Sequence, residues 1–339
     1  MSRTFAGVGT VTDSFWSPSR GDTSYTETSA GTDANSGLSL VIFSSLLARP
    51  RTEKHKPLCG SKRGVITQAL PTETKTVEGQ SVRVALRRAT RSAPTAVFLH
   101  GYPDTLHVFT RAIQALPKDW GYVAADFPGQ GRSAPSAGAT PTLSPSGRGR
   151  WLGALLDASM LRQVRVFAHD MGGHAALELA RQAPTRVERL VLCHSLLDDA
   201  APVPAIIKWL RLAGAYRPLL ANLPGTVLRR CVGDFLPRNE GLTLPIEIDF
   251  GQCFDRLVGK HTAAVCDAAT EWLAQGLGTY RALEMPIVNL VGTRNLYFGR
   301  EHAEALRRVV PKADIVMVNE AWHWLAWHKP EAVAAALAG

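Results

Sequence analysis

From residue 74 onward the chain alternates between two hydrophobic periods. Apolar runs of strand length at 96–99, 122–125, 164–168, 190–194, 286–291 and 314–318 are separated by stretches whose apolar positions recur every three or four residues, at 104–116, 151–161, 175–180, 300–309 and from Pro330. Two further runs, 74–77 and 81–87, flank Glu78-Gly79-Gln80 and predict a hairpin with a glycine turn. Strands that alternate with helices predict a mainly parallel sheet covered on both faces, with functional loops gathered at the strand carboxyl ends. The Pro/Ser/Gly-rich stretch 133–149 reads as a loop. Alternation fails between about 200 and 282, where helical patches at 206–213, 217–220 and 262–274 are broken by prolines and glycines, as in an inserted helical cap. The expected organisation is a core of residues 65–199 and 285–339 with a helical cap at 200–284.

Residues 1–64 lack any sustained period. They are rich in Ser, Thr, Gly and Asp and end in a basic run around Arg49, Arg51, Lys54, Lys56, Lys62 and Arg63, so ordering entropy is not repaid and a mostly disordered extension is expected. Their one apolar island, 38–48, is too short to span a bilayer and has its basic residues on the wrong side for a signal peptide. A targeting role is the alternative to an extension unnecessary for catalysis, and a cytoplasmic location is expected.

Composition narrows the picture further. With 339 residues and 45% hydrophobic content there is material for one large core or two moderate ones. The net charge of +9 comes from scattered basic residues, Arg148 and Arg150 among them, with no aromatic ladder, so they read as solvated surface and predict no nucleic-acid partner. Five cysteines without a Cys-x-x-Cys pair argue against a disulfide framework or a zinc site.

The candidate chemistry centres on 164–183. A strand ends at His169, two glycines follow, and a helix begins, which puts Asp170 at the apex of a sharp turn with Ala168 two residues before it and Gly172 and Gly173 after. This is the small-x-nucleophile-x-small pattern with a carboxylate in place of serine. A tight helix entry or anion cradle is the alternative for that turn taken alone. Two more segments change the reading: His100-Gly101-Tyr102-Pro103 after one strand and Asp126-Phe127-Pro128-Gly129-Gln130-Gly131-Arg132-Ser133 after another.

Taken in order, these three motifs resemble those of the α/β-hydrolase superfamily, specifically its Asp-nucleophile branch of epoxide hydrolases and haloalkane or haloacetate dehalogenases. The resemblance runs from about residue 74 to the end. It implies an α/β-hydrolase fold, a mostly parallel sheet flanked by helices with an inserted cap, and a cofactor-independent enzyme without a metal. The resemblance further implies a small apolar organic substrate and water, no membrane span, and a homodimer as the expected assembly. A carboxylate attacking an sp³ carbon makes an ester and so divides one displacement into two easier steps. The resemblance assigns Asp170 as nucleophile, the Tyr102 and Met171 amides as the oxyanion hole, and His323, after the last strand, as the base that activates water. His323 could otherwise simply pack among Trp322, Trp324 and Trp327; His302 and His328 read as surface histidines, and His174 as packing.

One position departs from the pattern. Where the branch usually carries an acid, Gly292-Thr293-Arg294-Asn295 offers an amide, which orients an imidazole but does not stabilise an imidazolium. Three explanations stand: the acid comes from Asp198 or Asp199, the site is slow, or it is an impaired ligand-binding pseudo-hydrolase. Asp198 and Asp199 could equally cap a helix. Within the branch, Tyr280 resembles the lid tyrosine that protonates an opening epoxide, although a half-buried hinge aromatic is the alternative. Tyr216 matches no motif. Met171 follows the nucleophile where dehalogenases often have a halide-binding tryptophan, and a thioether has no N–H to give. An epoxide hydrolase is therefore the first expectation and a dehalogenase the second.

Overall fold

A computed structural model describes residues 69–102, 104–133, 144–198, 258–295 and 297–339, with only the backbone described for 258–266. The expected N-terminal extension, Pro103, Asp199, Tyr216 and most of the expected cap lie outside the described residues. Eight strands form one sheet in the order β1-β2-β4-β3-β5-β6-β7-β8. They are β1 (Glu73–Val77), β2 (Gln80–Arg87), β3 (Thr95–Leu99), β4 (Gly121–Ala125), β5 (Val164–His169), β6 (Val187–Cys193), β7 (Ile287–Gly292) and β8 (Asp314–Val318). The β1–β2 and β2–β4 pairs are antiparallel and every other pair is parallel.

The expected hairpin is present, and its turn has a plain cause. Val77 pairs with Gln80, leaving a two-residue loop in which Glu78 (φ 48°) and Gly79 (φ 74°) are both left-handed, the conformation that matches strand twist. The segment expected to be one helix at 104–116 is instead a 3₁₀ turn (Leu106–Phe109) followed by α1 (Thr110–Gln114). α2 (Pro145–Ala158) starts earlier than the expected 151, because Ser144 caps it by accepting from the Gly147 N–H at 3.3 Å and Pro145 supplies a preset first position. The remaining α-helices among the described residues are α3 (Gly172–Gln182), α4 (Val258–Gln275), α5 (Arg300–Val309), α6 (Leu325–His328) and α7 (Pro330–Ala338).

Strand alternation sorts the core onto two faces. Ala96, Phe98 and Phe167 point to one, where Phe109, Trp324, Trp327 and Leu337 from the helical layer meet them. Val97, Leu99, Val166 and Ala168 point to the other, against Trp151, Leu155, Ala176 and Leu177. Each such side chain removed from water contributes roughly 1.5–3 kcal/mol. The sheet is thus held rigidly from both sides, and the loops at its carboxyl edge inherit that rigidity.

Candidate active site

The β5–α3 turn carries Asp170 at φ 49°, a left-handed conformation that costs a non-glycine residue about 1 kcal/mol or more. Crowding enforces it. A Cβ on Gly172 would meet the Leu99 carbonyl, and one on Gly173 would meet Ser195 Oγ, so only glycines let α3 start this close to β3 and β6. A Cβ on Gly101 would land on the Asp170 carboxylate itself. That close approach lets the Tyr102 N–H donate to Asp170 Oδ2 at 3.0 Å, and the Met171 amide lies near enough to favour the charged carboxylate. Both amides assigned by the resemblance to the oxyanion hole therefore reach the side chain assigned as nucleophile. Burial pushes the Asp170 carboxyl above the usual carboxylate range; His169 and the two amides oppose the shift, and Asp104 adds to it.

The loop carrying Tyr102 is fixed by the next strand. Asp126, fully buried, accepts from Arg83 Nε at 2.6 Å, from the Leu106 N–H at 2.8 Å and from the Arg132 N–H at 2.9 Å. His100 Nε2 accepts from the Phe127 N–H at 3.1 Å, which puts its proton on Nδ1, facing the Gly101 carbonyl at 2.7 Å. Burial lowers the His100 pKa, in keeping with a neutral ring.

His323 is buried, in the loop between β8 and α6. Its ring lies among those of His169 (centroids 4.5 Å apart), His194 (5.7 Å), Phe298 (5.8 Å) and Trp324 (6.0 Å). Burial, with His169 and His194 adding to it, holds its pKa well below the ordinary histidine value. The imidazole is therefore neutral, the state a general base requires. Nitrogen atoms of His169, His194 and His323 come within 4.8 Å of one another, a spacing that could suggest a metal. The donors do not fit one. His194 Nε2 accepts from the Gly292 N–H at 2.8 Å, and its Nδ1 faces the His323 carbonyl at 2.7 Å, so no lone pair remains on that ring for an ion.

Several residues lie elsewhere than the sequence suggested. The Tyr280 hydroxyl donates to Glu178 Oε1 at 2.6 Å and accepts from Gln275 Nε2 at 3.0 Å, in a fully buried position. Glu178 stands eight residues along from Asp170, about 12 Å at the rise of an α-helix. Tyr280 is thus not brought to the elbow as a lid proton donor; it anchors the chain leading into β7 to α3, and burial, first, and then the Glu178 carboxylate push its pKa up. Asp198 does not meet His323. Its Oδ1 lies 3.8 Å from His302 Nε2, and His302 is buried rather than a surface histidine. Asn295 follows β7, and its Oδ1 accepts from the Tyr297 N–H at 3.1 Å, a local turn. His174 packs as expected, stacked on Trp272 at 3.9 Å and donating through Nε2 to the Leu196 carbonyl at 2.9 Å. Arg148 is buried rather than solvated; its guanidinium lies 5.8 Å from the Phe127 ring centroid, and burial lowers its pKa to about 10. No sequence signal set it apart from the surface arginines. Met171, Leu196, Ala269 and Phe298, with Tyr102 and Tyr297 beside them, form an apolar cluster next to the elbow.

A sheet of this order with a strained carboxylate elbow after β5 defines the α/β-hydrolase fold. Residues 94–243 match the family model described as alpha/beta hydrolase fold, in agreement with the architecture. It is 31% identical over 111 residues to the dihydrolipoyllysine-residue acetyltransferase component of an acetoin cleaving system from Cupriavidus necator, matching 33% of this chain and only 29% of that protein's length. It is 25% identical to the AB hydrolase superfamily protein YfhM of Bacillus subtilis over 71% of this chain and 87% of that one. An sn-1-specific diacylglycerol lipase, ABHD11 of Mus musculus, is 24% identical over 70% of this chain and 78% of its own. Among solved structures, the epoxide hydrolase CorEH superposes with a TM-score of 0.62 at 17% identity, covering 78% of this chain and 96% of that one. The haloalkane dehalogenase DbeA from Bradyrhizobium elkani does so with 0.63 at 17%, covering 79% and 96%. At such identity the structures speak to the fold alone. Among the described residues no helix is long and apolar enough to cross a membrane.

Proposed function

We propose that this α/β-fold hydrolase opens a small apolar epoxide through an ester to Asp170, which water activated by His323 then hydrolyses. One observation carries the reading: the Tyr102 amide already holds one oxygen of the Asp170 carboxylate. In a serine enzyme the amides of that hole wait for a substrate oxygen. Here they grip the nucleophile's own oxygen, which becomes the ester carbonyl oxygen and then the oxyanion when water attacks, so the same donors serve the second step without rearrangement. In the first step the other carboxylate oxygen bonds to the epoxide carbon as the carbon–oxygen bond breaks and the alkoxide takes a proton from solvent water. In the second, water adds to the ester carbonyl as His323 takes one of its protons, and the tetrahedral adduct collapses to the Asp170 carboxylate, expelling the diol oxygen, which takes that proton back from His323.

The buried Tyr280 favours a second reading, a haloalkane or haloacetate dehalogenase, because displacement of halide needs no proton on the leaving group. A panel of epoxides and organohalides, scored for diol and for free halide, separates the two. Turnover of either class supports the ester route only if a single turnover in ¹⁸O water labels the peptide carrying Asp170. Label confined to the product overturns it.

A further inference from the structure

The backbone of His323 is held in an unusual way. Its carbonyl oxygen faces His169 Nε2 at 3.0 Å and His194 Nδ1 at 2.7 Å, and it also accepts from the Leu325 N–H at 3.0 Å. A carbonyl oxygen has no proton to give, so both imidazoles are donors there. For His194 the tautomer is fixed independently, because its Nε2 accepts from the Gly292 N–H; burial and the neighbouring His169 hold its pKa near 3, so the ring stays neutral. The third bond closes an inverse γ-turn at Trp324 (φ −83°, ψ 64°), which reverses the chain immediately after the base. The Trp324 indole then donates to Asp104 Oδ2 at 2.8 Å, and that same oxygen lies 3.6 Å from His169 Nδ1. Residues at or after the ends of three strands, β3, β5 and β6, thus converge on two consecutive residues of one loop, and the end of β7 joins them through His194.

We propose that His169 and His194, backed by Asp104, are positioning residues that aim the His323 imidazole through its own main chain. This rests on the reading of His323 as the base. In serine triads an acid on Nδ1 both orients the ring and stabilises its charge. Asn295 spends its acceptor on Tyr297, and Asp198 faces His302. The clamp supplies orientation from the backbone side. Ester hydrolysis is the step that needs His323 to take a proton, so losing the clamp slows that step selectively.

The experiment uses the full chain and styrene oxide as probe, following ester formation by intact-protein mass and its decay after a single turnover. His169→Leu and His194→Leu slow ester decay by about 10²-fold, the scale of a misplacement near 1 Å, while ester formation, followed at a pH high enough to ionise Asp170 in both variants, changes by less than about threefold. His169→Gln, with an N–H at the place of Nε2, and His194→Asn, with one at the place of Nδ1, restore decay to within about tenfold if the donor matters and not the ring. A general packing role would lower Tm without splitting the two steps, and that result overturns the proposal. Imidazole ¹⁵N spectra of the unliganded protein decide the matter without a substrate. The expected result is a proton on Nδ1 of His194 and on Nε2 of His169, and a displaced His323 signal in each leucine variant; unchanged His323 signals overturn the clamp. His323→Ala tests the underlying reading separately: if ester decay is unaffected, the base assignment falls, while slow decay in His323→Ala with normal decay in both leucine variants removes the clamp alone.

Discussion

Asp126 and Asp170 are the same residue type, both buried, each one residue past the end of a central strand. Asp126 is matched at every turn: a guanidinium at 2.6 Å and two backbone amides use its oxygens, and the Gly131 backbone lies so near that a Cβ there would strike it. Asp170 accepts from the Tyr102 amide, has that of Met171 near it and, among the described residues, no cation in contact. The first carboxylate is consumed by its partners and ties β2, β4 and two loops together. The second is held on one side, burdened by burial, and left with nucleophilic capacity. What a buried carboxylate does here is decided by how fully its charge is answered.

Replacing each tests that contrast. Asp170→Asn is expected to lower turnover by at least about 10⁴-fold, as when a member of a catalytic triad is lost, with Tm unchanged or raised because a costly buried charge is gone. A variant that keeps its activity would end the comparison. Asp126→Ala leaves the Arg83 guanidinium buried without its counter-charge and should cost about 3–5 kcal/mol in chemical denaturation. A loss under 1 kcal/mol would show that the Asp126 network is not the staple described.

Gly101→Ala comes next. Its Cβ would collide with the Asp170 carboxylate and displace the Tyr102 amide, and loss of one such donor lowers the rate by about 10²–10³. Steady-state kinetics beside circular dichroism would show whether the loss is catalytic or structural. Asn295→Asp should hasten ester decay by roughly tenfold by placing a carboxylate where the branch usually carries its acid. No gain, together with ligand binding but no turnover in the parent chain, would mark a pseudo-hydrolase.

The smallest effects concern pH. Ester formation needs ionised Asp170, whose pKa is raised, so the rate should climb with pH through a limb above the ordinary carboxylate range. His323, with its lowered pKa, is already neutral there and should contribute no limb near 6.5. A limb at that value, abolished in His323→Gln, would reverse the assignment. Stability follows with its own sign. A carboxyl with a raised folded-state pKa makes the native state the better proton binder, so stability falls as pH rises from the ordinary carboxylate value to the folded one and then levels. Asp170→Asn should flatten that slope.

Much was legible in the chain itself. Apolar runs of period two gave the strands, the Glu78-Gly79 pair the hairpin, and the small residues around Asp170 the elbow, because these features rest on local sterics and spacing. The helix at 104–116 was partly misread, since tertiary packing of Phe109 into the core accommodates a 3₁₀ turn that periodicity does not distinguish from α. What the sequence did not reveal lies in contacts between distant residues. Tyr280 finds Glu178 across 102 positions, and His194 and His169 reach the His323 carbonyl across 129 and 154. Arg148 and His302 look like any surface arginine or histidine until the sheet and its helices close over them. The sequence by itself determined where each strand stops and which side chain stands at the bend. Only the tertiary structure decided which polar groups answer one another, because hydrogen-bond partners are chosen by three-dimensional proximity once the apolar faces have packed, and no local pattern encodes that choice.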